Sequence, residues 1–167
     1  MKTLAIAQAV RDAATDLVAE YALAIDEDRL EDWVTLFTPD CDYRVVTREN
    51  VEQGLPNILM WCDGRDMLRD RVDSYRHVNE YNLHWDRHVI GPLRHRGRTS
   101  TPGAPADCWT VEASYSLFQT TLEGVSRLFS VGRYEFDLVI TADSALIRRV
   151  LVVADTGLVP TLLATPI

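Results

Sequence analysis

The stretch WTVEASYSLFQTTLEGVSRLFSVGRYEFDLVI, residues 109–140, decides the fold. Over 109–122, Val111, Ala113, Tyr115 and Leu117 alternate with Glu112, Ser114 and Ser116. A period of two is the pattern of a strand buried on one face. Glu123-Gly124 turns the chain, and 125–140 alternates again: Leu128, Tyr134, Phe136 and Leu138 lie opposite Arg127, Arg133, Glu135 and Asp137. A second turn over 141–144 leads into a third long strand, 145–155. Three strands joined by short turns predict an antiparallel meander.

Working outward, the N-terminal part is helical. Val10, Ala14, Leu17, Tyr21 and Ile25 recur at helical spacing and share one face. A short second helix fits 30–37, with Trp33, Leu36 and Phe37 inward and Pro39 ending it. Residues 41–47 read as a strand rich in β-formers. Asp63 is a candidate N-cap for a third helix with Leu68, Val72 and Tyr75 as its buried stripe and Asn79 as its stop. Residues 81–95 are expected to form a strand and 96–106, with two Gly and two Pro, a loop. Helices first and strands later indicate an α+β domain, residues 1–167, in which the antiparallel sheet curls around the helices.

The chain has 167 residues, 47% of them apolar, and a net charge of −8. That supports one hydrophobic core and argues against a nucleic-acid binder, which needs Lys and Arg for phosphate. Residues 1–42 hold ten acids against three bases, whereas 87–106 carry only arginines among their charged side chains. Cys41, Cys62 and Cys108 are far apart and form no CxxC or Cys-x-His motif. Sparse, odd cysteines fit reduced thiols in a cytoplasmic protein. No signal-peptide pattern or membrane-length apolar run is present, so a soluble chain with no membrane association is expected.

Candidate chemistry is thin. His84 and His88 are four apart, but Trp85-Asp86-Arg87 between them rules out HExxH. Asp86 is expected to face away from both, leaving them structural or interface histidines. Asp26, Asp42, Tyr43, His88 and Asp155 are candidates for acid–base work in a pocket, without a local signature that pairs them. GxSxG, GxGxxG and GxxxxGK are all absent. No catalytic, cofactor-binding or metal-ligating residue is therefore assigned. After Asp155 no charged side chain follows, while Leu158, Val159, Leu162, Leu163 and Ile167 are apolar. Such a segment either covers its own core or packs on a neighbouring subunit.

Several motifs point to a family. Trp33-Val34-Thr35-Leu36-Phe37, Asp40-Cys41-Asp42-Tyr43-Arg44-Val45-Val46, Gly54-Leu55, Trp61-Cys62-Asp63, Met67-Leu68-Arg69-Asp70-Arg71 and Arg87-His88 together resemble the β (small) subunits of Rieske non-haem iron aromatic-ring hydroxylases. The details are most similar to the terephthalate, salicylate and anthranilate branch. The resemblance implies a cystatin-like, NTF2-like cone and a non-catalytic structural subunit of an oxygenase that hydroxylates a carboxylated aromatic ring. It further implies an α3β3 hexamer with β–β trimer contacts, the Rieske [2Fe–2S] cluster and mononuclear Fe(II) both lying on the large α subunit. Tyr43, Arg44, Trp61, Arg69, Arg71, Arg87, His88, Leu162 and Ile167 are then the candidate subunit contacts, the basic stretch from Arg87 to Arg98 among them. The competing reading is a stand-alone NTF2-like isomerase or dehydratase with an Asp/His/Tyr pocket.

Overall fold

The computed structural model describes residues 7–78, 80 and 83–167. Helix α1 (Gln8–Asp26) carries the apolar stripe, and Ala14, Leu17, Val18, Tyr21 and Ile25 are buried. The short α2 (Leu30–Thr35) buries Leu30, Trp33 and Val34. It ends before Phe37 because the sheet captures the chain there: the Ile147 amide donates to the Leu36 carbonyl. Strand β1 (Phe37–Thr47) therefore begins earlier than expected and includes Pro39. The pairing slips between Phe37 and Asp42, and such an irregularity tolerates a residue that has no amide to donate.

Two elements were not anticipated. Helix α3 (Arg48–Gln53) is capped by Thr47, whose hydroxyl accepts from the Asn50 amide, and ends at Gly54 in the left-handed region. Strand β2 (Met60–Asp63) pairs antiparallel with β1. Asp63 thus closes a strand, and Gly64, not Asp63, occupies the N-cap of α4 (Arg65–His77). That helix buries Leu68, Val72 and Tyr75 as expected. It stops at His77, and its expected stop, Asn79, lies outside the described residues.

Strand β3 (His84–Ile90) lies inside the expected 81–95, of which Tyr81 and Asn82 are outside the described residues. The expected loop begins later than 96, because Arg94–Arg98 forms strand β4 along β5. Strands β5 (Cys108–Thr121), β6 (Ser126–Ile140) and β7 (Ala145–Ala154) are the meander. The sheet order is β2-β1-β7-β6-β5-β3, with β4 also on β5. It is mixed and not wholly antiparallel, since β1 and β7 run parallel.

One side chain of the meander faces the other way. The register shifts between Leu117, opposite Ser130, and Phe118, opposite Leu128. The extra residue, Phe129, turns towards the core and Leu128 is left exposed. A bulge exchanges the faces of a strand beyond it.

The concave face closes over α1 through aromatic rings. Tyr21 lies 5.3 Å from Phe136 and 5.9 Å from both Trp33 and Tyr134, and Trp33 lies 4.8 Å from Phe37. Burying each such ring contributes roughly 1.5–3 kcal/mol, so this cluster fixes the helix on the sheet. At Gly132 the neighbouring strand comes closer still. A Cβ there would sit 2.1 Å from the Val153 carbonyl oxygen. Gly132→Ala is expected to cost about 1–3 kcal/mol in urea unfolding, because backbone must move. An unchanged midpoint would refute the close approach.

Candidate functional site

The inner face of β3 carries His84, Asp86 and His88. They are two apart, so strand alternation places all three on one face. The expectation that Asp86 faces away is thereby corrected. Asp26, the last residue of α1, meets this row. Its carboxylate accepts the His88 backbone amide at 2.9 Å and lies 2.6 Å from His88 Nδ1. Both side chains are almost wholly buried. The Asp26–His88 pair ties the end of α1 to the sheet and makes Nδ1 the bonded nitrogen of the ring. His88 Nε2 is buried without a hydrogen-bond partner.

Asp86 is 5% exposed, and its Oδ2 accepts the Thr165 hydroxyl at 2.8 Å. His84 Nε2 lies 3.6 Å from Oδ1. Burial pushes the Asp86 carboxyl up, but the hydrogen bonds from His84 and Thr165 outweigh it, and the group is held below the usual carboxylate range. A cleft of about 250 Å³ opens beside this row, lined by Asp26, Tyr75, His84, Trp85, Asp86 and Thr165 among others.

Thr165 belongs to a segment without regular secondary structure that enters the hollow of the sheet, and residues 164–167 are buried. The Tyr43 hydroxyl donates to the Ile167 carbonyl at 3.1 Å and accepts the Ile167 amide at 2.9 Å. Tyr21 donates to the same carbonyl. From α4, Arg71 Nη2 donates to the Leu163 carbonyl at 2.7 Å. Burial raises both phenols, Tyr21 and Tyr43, above their ordinary range, so they remain donors at neutral pH. Tyr115, stacked 4.4 Å from Tyr134, is pushed up to about 12 by the same cause.

Several of the expected contact residues face inward. Tyr43, His88 and Ile167 are buried within the chain, and Arg71 is half-buried against the chain's own C-terminal segment. Arg44 is partly exposed, stacks 5.1 Å over Trp61 and pairs with Asp42, which also accepts Trp61 Nε1–H at 3.0 Å. Trp61, Arg69, Arg87 and Leu162 are exposed, although Arg87 comes within 3.8 Å of Asp26. Arg96 and Arg98 pair with Glu112 and Asp107 of the same chain. Of the acid–base candidates, Asp26 and His88 come together; Asp42 is on the outer face and Asp155 pairs with Arg48. Sequence reasoning missed Tyr21 and Thr165 as partners, and no local pattern marks contacts across such separations.

Among the described residues, no three His, Cys, Asp or Glu side chains converge as metal ligands. Cys41, Cys62 and Cys108 are free and buried, and burial pushes their thiols up, Cys41 to about 12 and Cys108 to about 11.

A SnoaL-like domain model matches residues 8–150. The chain is 39% identical to the small subunit of anthranilate 1,2-dioxygenase from Burkholderia cepacia, covering 86% of this chain and 85% of that one. It is 32% identical to subunit beta 1 of the terminal oxygenase component of terephthalate 1,2-dioxygenase from a Comamonas species, covering 89% and 93%. The crystal structure of a β subunit assigned to an aromatic-ring-hydroxylating dioxygenase of Novosphingobium aromaticivorans DSM 12444 superposes with a TM-score of 0.82 at 39% identity, over 96% of this chain and 98% of that one. A curved sheet closed over α1, joined to this continuous similarity, places the chain in the SnoaL-like family, among the small subunits of aromatic-ring-hydroxylating dioxygenases.

Proposed function

We propose that the chain is the assembly-supporting β subunit of an oxygenase that hydroxylates a carboxylated aromatic ring, in an α3β3 hexamer of the cytoplasm. The observation that carries this reading is the 39% identity to an anthranilate dioxygenase small subunit across 86% of the chain. The Rieske cluster and mononuclear iron belong, on this reading, to the large subunit, whose chemistry is the oxygenation itself. Among the described residues no three His, Cys, Asp or Glu side chains come together to hold either centre, and His88 is already bonded to Asp26. Three buried free thiols accord with a reducing compartment. No helix among the described residues is long and apolar enough to cross a membrane. The hollow that a stand-alone isomerase would use is filled by residues 164–167.

The contact role passes to the exposed members of the candidate set: Arg44, Trp61, Arg69, Arg87 and Leu162. Co-expression with the large subunit tests the assignment. A red-brown complex whose iron follows the larger chain is expected. A colourless homodimer that turns over a small substrate alone would reject it. Within that complex, Arg87→Ala is expected to weaken assembly about tenfold or more, as truncated interface arginines do. The side chain is 64% exposed, so the isolated chain's thermal midpoint should stay nearly fixed. Normal assembly with a change confined to KM would overturn the Arg87 assignment.

A further inference from the structure

One patch of the outer sheet face stays apolar. On β3, Trp85, Arg87 and Val89 alternate with the inward row of His84, Asp86 and His88, so they face away from the core. Arg87 stands opposite Phe118 of β5, and Phe118 opposite Leu128 of β6. Three strands thus bring Trp85, Val89, Phe118 and Leu128 together around one arginine. Trp85 keeps 54%, Val89 56% and Leu128 52% of their surface in water. Strict alternation would have buried Leu128; the bulge at Phe129 turns it outward beside Phe118. A contiguous apolar surface of this kind marks an interaction site, and aromatic rings with an arginine are the composition of an interface centre.

The chain itself carries a complementary surface. Asp12, Asp16, Ala19 and Leu23 recur at helical spacing on the exposed side of α1. Among the described residues neither Asp12 nor Asp16 enters an ion pair, whereas Arg29 holds Glu20 and Glu27. Two such acids next to Ala19 and Leu23 match Arg87 next to an apolar patch, and Arg127, exposed beside Leu128, adds a second base. Pairing two identical patches would instead set Arg87 against Arg87. Helix α1 packs on the concave face of the sheet and the patch lies on the convex one, so the two surfaces meet only between copies.

We propose that the outer patch of β3, β5 and β6 docks on the exposed side of α1 in a second copy of this chain. Arg87 meets Asp16, and the apolar side chains around it cover Ala19 and Leu23. Such a contact joins two different surfaces, so it closes into a ring when the rotation between copies divides a full turn. Three copies make the ring that the hexamer reading needs. The inference rests on that reading and deepens it, by naming the faces through which its β chains meet.

Sedimentation velocity of the full chain alone, over a range of micromolar concentrations, supplies the test. The wild type is expected to associate to a trimer. Arg87→Glu and Asp16→Arg should each raise the concentration for half-association at least about tenfold. Together they should recover most of that loss, because the charges then face each other with signs exchanged. Leu128→Ser should weaken association comparably, with no recovery from Asp16→Arg. All three side chains are exposed, so thermal midpoints of the monomers should move little. If Arg87→Glu does not fold, Asp16→Arg and Leu128→Ser decide. A wild type that stays monomeric, single reversals that leave the trimer intact, or a double reversal without recovery overturns the contact. Co-expression with the large subunit separates it from the hexamer reading. A red-brown hexamer that forms normally with Asp16→Arg and Leu128→Ser sinks this contact alone. A trimer sensitive to the reversals, with no large-subunit complex, upholds the contact and sinks the hexamer.

Discussion

Replacing Asp137 by alanine is expected to lower the unfolding free energy by about 2–4 kcal/mol, because three threonine hydroxyls and the half-buried Arg149 lose their shared acceptor. Asp137 lies on the outer face of β6 and has no solvent exposure. Its carboxylate accepts Thr110 at 2.7 Å, Thr101 at 2.8 Å, Thr99 at 3.1 Å and Arg149 Nε at 2.9 Å. The two threonines of the 99–107 loop are thereby fastened to the sheet, and the loop covers the charge pair. Without the carboxylate, Arg149 keeps Glu135, at 3.7 Å, with Asp42 farther off. Asp137→Asn should lose less, since one acceptor oxygen remains.

The same site predicts acid sensitivity. Burial pushes the Asp137 carboxyl up, but Arg149, Thr110 and Thr101 together hold it below the ordinary carboxylate value. A carboxyl depressed in the folded state contributes stability above its unfolded pKa of about 3.9. That contribution fades as pH falls from there through the folded value. Wild-type stability should thus drop below about pH 4 with a component that is missing in Asp137→Asn. Parallel stability–pH curves for the two proteins would reject the assignment.

Deleting residues 157–167 is expected to cost about 2–4 kcal/mol, a large share of the roughly 5–15 kcal/mol typical of a domain. Five hydrogen bonds and the burial of Ala164, Pro166 and Ile167 favour the segment, and the entropy of ordering it opposes them. Residues 157–162 contribute little, since Leu158 and Leu162 stay exposed. The expected result is a monomer with a lowered urea midpoint. Loss of the oligomer with the monomer's stability untouched would instead make the segment a docking element.

Much of the fold is legible from alternation and helical spacing. Val111, Ala113, Tyr115 and Leu117 are all buried, as are Leu17, Tyr21 and Ile25. What is not legible depends on distant partners. Nothing in Arg94-His95-Arg96-Gly97-Arg98 favours a strand; its backbone is recruited by the neighbouring β5. Leu128 obeys the period locally and loses its place to a bulge set across the ladder. At the candidate site, Tyr43, Arg71, His88 and Ile167 were expected as contacts between subunits, Tyr43 and His88 also as acid–base candidates. They act within the chain: Tyr43 meets a carbonyl 124 residues away, and Arg71 one 92 residues away. Asp86 is a different case, because period two alone places it with His84 and His88.

The parallel pairing of β1 with β7 also governs the order of events during synthesis. The first long strand waits for the last before its inner edge is covered. Contacts so distant in sequence make folding slow, because a long loop must close before any gain is felt. A nascent chain on the ribosome therefore carries Phe37, Tyr43 and Val45 on an incomplete sheet until β7 emerges. During that interval the unpaired edge is open to intermolecular strand pairing. A lower expression level, which reduces encounters between such chains, should therefore raise soluble yield more than any change to the surface of the finished domain.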